Sequence, residues 1–382
     1  MDDHKGNIQK ALNRLKDSSV NIPEEVIRDF PLAIYTYYQT RSQWEEWIEF
    51  GQLGMEACKR INDPYSMDEV YPTLCNNLGI ANRMLGNFEE AMSFYQDALE
   101  KAKYEKEKSD ALTNMCDIYR LWGQTEQALK YGDQAKKLAP DKSRKAKALE
   151  FMGLTYVSDQ NYDAGIGCYR QSLKLRRETG NQQKEVLNFS YLAFALSHRN
   201  QNKEDLYEAL YCYEQAKEIE ENLDNKQSLG RLKGDIAVAY NKLARYEGEN
   251  KVERYEEAKN LSLESYSYND SDGVHGIGYK RGGTLNQARL IDSYLGLNEL
   301  EKALESARYV CKNRESLNHF DRINLHDLSA MLIQISQYLK KRGKMREATE
   351  LCEVAIEFAS DSKEEESKQD AQALLVQLKS LA

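Results

Sequence analysis

The feature that most constrains the fold is a segment of about 37 residues that recurs along the chain. Segments beginning at Leu74, Leu112 and Leu149 start 38 and 37 residues apart and read LCNNLGIANRMLGNFEEAMSFYQDALEKA, LTNMCDIYRLWGQTEQALKYGDQAKKLAP and LEFMGLTYVSDQNYDAGIGCYRQSLKLRR. A fixed period of this length indicates stacked copies of one supersecondary unit, and the scarcity of proline makes that unit helical.

These segments resemble the tetratricopeptide repeat, in which two antiparallel helices form each repeat. The family places small residues where helices approach closely, an aromatic residue where space remains between them, and a glycine in the turn. Matching positions are Leu78, Gly79, Gly86, Phe88, Ala91, Tyr95 and Ala98 in the first segment, Tyr119, Gly123, Ala128, Ala135 and Pro140 in the second, and Gly153, Tyr156, Tyr162 and Tyr169 in the third.

Weaker copies on both sides extend the resemblance over most of the chain. The predicted fold is therefore all-α, a right-handed superhelical solenoid of about eight helix hairpins covering residues 28–360, with repeats starting near 28, 72, 109, 146, 186, 230, 284 and 329. Residues 1–27 are predicted to form an N-terminal helix or cap. Residues 361–382 are predicted to form a capping helix, with Ala371, Leu374, Leu375, Leu378 and Leu381 on its apolar face.

Composition limits the classes of function. No apolar run is long enough to span a membrane, and no signal peptide is recognisable, so we expect a cytoplasmic protein. The seven cysteines are scattered without a CxxC pair, which predicts buried thiols and neither disulfides nor a metal site. The net charge of −9 disfavours nucleic-acid binding. We expect no cofactor.

One glycine-rich stretch, GVHGIGYKRGGT at 273–284, approaches two phosphate-binding motifs without completing either. Tyr279 and Lys280 stand where a Walker loop needs Lys and Ser/Thr, Arg281 replaces a glycine of the dinucleotide fingerprint, and no strand precedes the stretch. The stretch is therefore predicted to be a long irregular joint. A secondary hypothesis has His275, Lys280 and Arg281 contacting an acidic or phosphorylated group of a partner.

The resemblance implies that partners bind in a concave groove lined by the first helix of each repeat. Asn77 and Asn114 are candidates for holding a peptide backbone, and Arg83 and Arg120 for a paired cationic track facing an acidic segment. The full set of predicted groove residues is Asn77, Arg83, Asn114, Asp117, Arg120, Lys147, Phe151, Tyr191, Phe194, Asn241 and Arg289, and the same positions also include Glu150 and Asp292.

Known ligand and catalytic patterns of comparable proteins are poorly matched. The carboxylate clamp that some tetratricopeptide proteins use for chaperone tails would fall on Asn76, Ile80, Asn114, Lys147 and Phe151, of which two match. The five histidines form no HExxH motif, and there is no GxSxG. A non-catalytic protein is therefore predicted.

Three functions remain open at this point. The first is a scaffold or sensor that holds another protein or an extended peptide, acidic in one version, in its groove. The second is the sensor half of a STAND-type signalling or defence ATPase, excised or acting in trans, because the repeats resemble the C-terminal arrays of such proteins. The third is a peptide-controlled regulator like the Bacillus Rap phosphatases, although only about 25 residues precede the first repeat here. Self-association is left open in all three.

Overall fold

The computed structural model describes residues 7, 10–11, 13–15, 21–41, 43–199, 201–270, 277–317, 327–361 and 365–381. All regular secondary structure within these ranges is helical, which confirms the predicted all-α class. None of the helices in these ranges is both long and apolar enough to cross a membrane.

The chain divides into two compact halves, Met1–Asn188 and Phe189–Ala382, and each is described by itself. The helices that begin in the N-terminal half are α1 (Glu24–Arg41), α2 (Trp44–Ile61), α3 (Tyr71–Leu85), α4 (Phe88–Lys101), α5 (Glu105–Leu121), α6 (Thr125–Leu138), α7 (Lys142–Ser158), α8 (Tyr162–Thr179) and α9 (Gln182–Arg199). Those of the C-terminal half are α10 (Lys203–Asn222), α11 (Lys226–Ala244), α12 (Lys251–Asp270), α13 (Ile277–Gly296), α14 (Leu300–Asn313), α15 (Leu328–Lys341), α16 (Met345–Asp361) and α17 (Glu365–Leu381).

Helices pair in chain order, and the first helices of neighbouring pairs also touch. In the N-terminal half α1 packs on α2, α3 on α4, α5 on α6 and α7 on α8, while α5 also contacts both α3 and α7. In the C-terminal half α11 packs on α12, α13 on α14 and α15 on α16, and α17 covers α15 and α16. This is the packing expected of stacked helix hairpins. The number of repeats and the handedness of the coil stay predictions.

Close approach within a hairpin depends on a glycine that faces a tyrosine. A Cβ atom at Gly79 would lie 2.3 Å from Cε1 of Tyr95, and one at Gly153 would lie 2.5 Å from Cε1 of Tyr169. Both tyrosine side chains are buried. The ring therefore occupies the volume that any larger residue at the glycine would need, so glycine and tyrosine occur together in these two hairpins.

The turns within hairpins also follow the sequence pattern. Gly86, Gly123 and Gly343 adopt φ values of +85°, +71° and +75°, in the left-handed region that glycine enters without strain. Each directly follows, or nearly follows, the first helix of its pair and reverses the chain into the second.

The prediction of a long irregular joint at 273–284 is wrong for its second part. Residues 277–284 form the beginning of α13, and Gly283 and Thr284 are buried there. Thr284 Oγ1 lies 3.1 Å from Ser316 Oγ, which follows α14. Small side chains at this end of α13 thus allow close packing. His275 and the rest of 271–276 lie outside the described residues.

The predicted capping helices are partly visible. In α17, Ala371, Leu374 and Leu378 are buried against α15 and α16, but Leu381 is 58% exposed because it lies at the last turn, beyond its neighbours. Near the start of the chain, Leu15 packs against the apolar cluster of α1 to α3. Ile8 and Leu12, which with Leu15 make the apolar stripe that predicts an N-terminal cap, lie outside the described residues.

Candidate partner-binding face

The first helices α3 and α7 of the N-terminal half each carry a half-exposed side. On α3 the half-exposed positions Thr73, Asn77, Ile80 and Arg83 recur every three to four residues and so form one stripe. Helix α5 contacts both α3 and α7 and lies between their stripes, but its own residues 111–118 are all buried. We call this surface the first-helix face; its predicted members are Asn77, Arg83, Asn114, Asp117, Arg120, Lys147 and Phe151.

Two of the predicted arginines converge on one carboxylate. Asp117, whose side chain is 3% exposed, accepts through Oδ2 from Nη1 of Arg83 at 3.1 Å, and through Oδ1 from Nε and Nη2 of Arg120 at 2.9 and 2.6 Å. We call these three residues the Arg83 cluster. One arginine would neutralise the buried carboxylate, so the cluster keeps one surplus positive charge at a place where Arg83 is still 26% exposed.

Asn114 is buried, and both ends of its amide are engaged within the chain. Nδ2 of Asn114 donates to Oδ1 of Asn76 at 3.4 Å, and Oδ1 accepts from Nζ of Lys147 at 3.3 Å. Asn76 in turn donates to the backbone oxygen of Glu107 at 3.3 Å. The three side chains form a polar ladder from α3 to α7, whereas Asn77 beside it is half-exposed.

Lys147 stands at the end of this ladder. Its Nζ lies 3.7 Å from Oδ1 of Asp110, and Arg144 contacts the other oxygen of that carboxylate at 3.1 Å. Burial lowers the pKa of Lys147, and the carboxylate of Asp110 opposes this shift. Phe151, one turn further along α7, is half-exposed and adds an apolar surface to the first-helix face.

Glu150 does not contribute to the first-helix face, contrary to its predicted position. Its carboxylate is buried and receives a bidentate pair from Arg176, with Nε–Oε1 2.7 Å and Nη2–Oε2 3.0 Å. Ser172 and Asn188 also donate to Oε1. The partners come from the second helix α8 and from α9, so the ion pair ties helices together. The position of Glu150 within its own helix does not indicate these partners.

The predicted residues of the C-terminal half are engaged in different ways. Asn241 is buried; it donates to the backbone oxygen of Arg289 at 3.2 Å and accepts from Ser293 Oγ at 2.9 Å. Tyr191 and Phe194 are half-exposed, and the Phe194 ring stacks on His198 with the centroids 3.9 Å apart.

Arg289 is fixed by its neighbours on α11 and α13. Its Nη2 contacts Oδ1 of Asp235 at 2.6 Å, and its Nη1 donates to Asn286 Oδ1 at 3.0 Å. The guanidinium lies directly over Gly234, where a Cβ atom would be 2.0 Å from Nη1. The absence of a side chain at Gly234 therefore makes room for this arginine.

A second charged cluster, which sequence reasoning missed apart from Asp292, lies in the C-terminal half. Arg245 contacts Asp292 at 2.8 Å and Asp327 at 2.9 Å, and we call these three residues the Arg245 cluster. Burial raises the pKa of Asp292 even though the arginine opposes the shift. The nearby amine of Lys242 is buried and donates to the backbone oxygen of Ser197 at 3.1 Å, and burial lowers its pKa.

Reactive side chains show little sign of activation. None of the seven cysteines forms a disulfide bond, six of them are buried, and burial raises the pKa of Cys58, Cys116 and Cys311 to about 12. A thiol with so high a pKa carries almost no thiolate at neutral pH. Over the described ranges, no group of three or more His, Cys, Asp or Glu is placed to hold a metal ion.

The structure describes only some of the residues of the 273–284 stretch that are predicted to contact a partner. The backbone of Lys280 lies in α13, but its side chain is outside what the structure describes, as is all of His275. Arg281 is half-exposed on α13 and has an interaction partner within the chain. A role for these three residues stays a prediction.

Comparison with known proteins agrees with this architecture. Residues 73–103 match the family model described as tetratricopeptide repeat. No curated protein matches the chain. Among solved structures, a STAND protein with a tetratricopeptide repeat sensor from Pyrococcus horikoshii is 18% identical, with a TM-score of 0.58 over 91% of this chain and 50% of that one. This chain thus spans about half the length of that protein.

Two further structures resemble 80% and 93% of the chain. NprR in complex with its cognate peptide NprX is 13% identical, with a TM-score of 0.52 over 80% of this chain and 82% of that one. Aspartyl phosphate phosphatase F from Bacillus subtilis is 14% identical, with a TM-score of 0.54 over 93% and 88%. The protein therefore contains a tetratricopeptide repeat and has the fold of tetratricopeptide-repeat proteins. Because three such different proteins share that fold, the fold alone does not define the activity.

Proposed function

We propose that this protein is a non-catalytic scaffold or sensor that holds a peptide, or an extended segment of another protein, on the first-helix face. The observation that carries the proposal is the Arg83 cluster, which leaves a half-exposed guanidinium with surplus charge on the same face as the half-exposed Asn77 and Phe151. A surface that combines fixed cations, amides and an aromatic side chain suits an acidic peptide. The peptide complex of NprR supports this use of the fold.

The proposal is tested by selecting linear peptides from a random display library against the intact protein. Arg83→Gln is the informative variant, because Arg120 still neutralises Asp117 and the helices should stay folded. Arg346→Gln is the matched control, since that arginine is 95% exposed and pairs with Glu350 one turn away. We expect Arg83→Gln to lower the affinity for the selected peptides by about tenfold. Selected peptides that bind both variants as well as the wild type would contradict the proposal.

A second candidate function is the sensor part of a STAND-type signalling protein. It is favoured by one observation, that 91% of this chain aligns with only half of the Pyrococcus protein. Immunoblotting of native lysate distinguishes the forms: a band near the 44.1 kDa of this chain supports a protein that acts in trans, and a much larger band supports one domain of an ATPase. A regulator of the peptide-controlled type would share the same peptide-binding face, so peptide selection tests it as well.

A further inference from the structure

One side of helix α10 exposes two tyrosines to solvent. Tyr207 is 44% exposed, and Tyr211, one turn further along the helix, is 60% exposed. The buried residues of the helix, among them Leu206, Ala209 and Tyr213, lie on its other side, and α10 packs on α11. The two exposed rings are therefore not needed to pack α10 within its half. Tyrosine is a residue type that protein interfaces favour.

The two tyrosines belong to a stripe that runs along almost the whole helix. Within 204–221, all of which the structure describes, six positions are exposed, and they recur every three or four residues; they are Glu204, Tyr207, Tyr211, Glu214, Glu218 and Glu221. We call this surface the α10 stripe. It is about 25 Å long, at about 1.5 Å per residue. Alternating steps of three and four residues are the spacing by which two helices pack along each other.

The carboxylates of this helix are not balanced by its own cations. Helix α10 holds seven carboxylates and two lysines. Lys217 contacts Glu214 at 2.9 Å, and Arg199, which precedes the helix, contacts the buried Asp205. Because the four glutamates of the α10 stripe outnumber the two lysines of the helix, the stripe keeps a surplus of negative charge.

The side chain of Tyr207 is held by a contact outside the helix. Its hydroxyl donates to Oε1 of Glu247 at 2.5 Å, and Oε2 of the same carboxylate accepts from Nε of Arg254 at 2.9 Å. This hydrogen bond to Glu247 raises the pKa of Tyr207, so the phenol stays neutral near pH 7. A ring that is already fixed loses less conformational entropy when a ligand stacks on it.

Exposed aromatic rings between carboxylates suit a cation that is planar as well as charged. A guanidinium can stack on a tyrosine ring and also pair with a carboxylate through two N–H groups. A lysine ammonium has no planar surface and is more strongly hydrated. The spacing of the stripe favours cations three and four residues apart, which is how a partner helix presents side chains on one face.

We propose that the α10 stripe is a docking surface for an arginine-bearing amphipathic helix of a partner protein. This inference goes beyond the function proposed above, because the stripe lies in the C-terminal half and includes no residue of the first-helix face. The protein then binds two segments of opposite charge, an acidic one on the first-helix face and a basic one on the α10 stripe.

The test uses a synthetic peptide of about three heptads, with arginine at the first and fourth position of each heptad and alanine or glutamine elsewhere. Fluorescence anisotropy at low salt measures its affinity for the intact protein. We expect a dissociation constant on the order of 10 μM, and at least about threefold weaker binding of a lysine version and of a version with scrambled arginine positions. No binding of the arginine peptide, or equal affinity for either comparison peptide, would overturn the proposal.

Two variants of the stripe locate the bound peptide. Tyr211→Ala removes the more exposed ring, and Glu218→Gln/Glu221→Gln removes two carboxylates. Each should lower the affinity for the arginine peptide by at least about fivefold. All three positions are exposed, so far-UV circular dichroism of both variants should match that of the wild type. Unchanged affinity in both variants would show that the peptide does not lie on the α10 stripe.

Matched controls carry the same changes elsewhere. Tyr104→Ala also removes an exposed tyrosine, but one whose ring centroid lies 5.8 and 5.7 Å from the Nζ atoms of Lys103 and Lys106. Glu365→Gln/Glu366→Gln removes the same amount of negative charge at the start of α17. Both controls should bind the arginine peptide as the wild type does. Equal losses in the stripe variants and in the controls would mean that the peptide responds only to overall charge, which would overturn the proposal.

The result is distinguishable from the test of the first-helix face. Arg83→Gln should bind the arginine peptide with the affinity of the wild type, because the Arg83 cluster lies in the other half. A loss of affinity in that variant, with Tyr211→Ala unaffected, would contradict the assignment to α10.

Discussion

The Arg83 cluster and the Arg245 cluster use the same two residue types in opposite proportions. In the N-terminal half two arginines share one buried aspartate, which leaves one surplus positive charge. In the C-terminal half one arginine contacts two aspartates, which leaves one surplus negative charge. Asp117 and Asp292 occupy the same position of their repeats, the ninth residue counted from the predicted starts at 109 and 284.

The comparison shows what the repeat determines and what it leaves free. The backbone places an aspartate on the first helix and a neighbouring arginine within reach in both halves. The sign of the surplus charge depends on the third residue, Arg120 in one half and Asp327 in the other. Because the repeat does not specify the type of that residue, each half can present a different charge to a partner with the same fold.

The largest difference between the two clusters is expected when the aspartate at the ninth position of the repeat, Asp117 or Asp292, is neutralised. Asp117→Asn leaves two partly buried arginines without an anion and should lower the free energy of unfolding by about 3 kcal/mol. Asp292→Asn should cost only about 1–2 kcal/mol, because Arg245 keeps its contact with Asp327. Urea unfolding followed by circular dichroism measures both. Equal losses would show that the proportion of charges does not matter.

The next largest difference is expected between substitutions of two packing glycines, Gly79 in the N-terminal half and Gly234 in the C-terminal half. Gly79→Ala places a Cβ against the rigid ring of Tyr95 and should destabilise the protein by about 2–3 kcal/mol. Gly234→Ala meets the flexible end of Arg289 and should cost about 1 kcal/mol, with loss of the Arg289–Asp235 contact. Thermal unfolding gives the ranking. A larger cost for Gly234→Ala would mean that Arg289 cannot move aside.

A smaller effect is expected when the third residue of the Arg245 cluster is neutralised. Asp327→Asn makes that cluster neutral, but Asp327 is 31% exposed and Arg245 39% exposed, so the stability should change by less than about 1 kcal/mol. The Arg245 cluster would then carry no net charge and would no longer be opposite in sign to the Arg83 cluster. The dependence of the unfolding midpoint on salt should weaken as well, and an unchanged salt dependence would contradict this.

The smallest effect is a dependence on pH in the N-terminal half, where Glu107 is buried with one unpartnered oxygen. Burial raises its pKa, so the folded chain holds the proton more tightly than the unfolded chain and ionisation above that pKa costs stability. Glu107→Gln should therefore be as stable as the wild type or slightly more so, by less than about 1 kcal/mol, at pH 7. The difference should shrink as pH falls through the raised pKa of Glu107. The direction of the Glu107 pKa shift would be contradicted if Glu107→Gln were less stable than the wild type at pH 7 and this deficit became smaller at acidic pH.

The sequence predicted the helical class well because its signals are local. Gly86 and Gly123 mark turns, and Gly79 and Tyr95 mark a close contact, at spacings that a single repeat defines. The stretch at 273–284 misled because glycine signals a loop in most contexts, whereas here small residues such as Gly283 allow α13 to pack closely.

The site was predictable only in part. The repeat register put Arg83 and Arg120 at the same position of adjacent repeats, but it could not show that both contact Asp117 as a shared acceptor. Contacts between distant residues, such as Arg289 with Asp235, depend on how hairpins stack. The burial of Asn114 leaves no local pattern in the chain.

The central claim is that a partner binds the first-helix face of the N-terminal half. Hydrogen–deuterium exchange of the intact protein, with and without a selected peptide, tests it most directly. The account predicts that protection increases in α3, α5 and α7, at residues 71–85, 105–121 and 142–158, and that Arg83→Gln abolishes the increase. Protection confined to the second helices α4, α6 and α8, or to the C-terminal half, would contradict it.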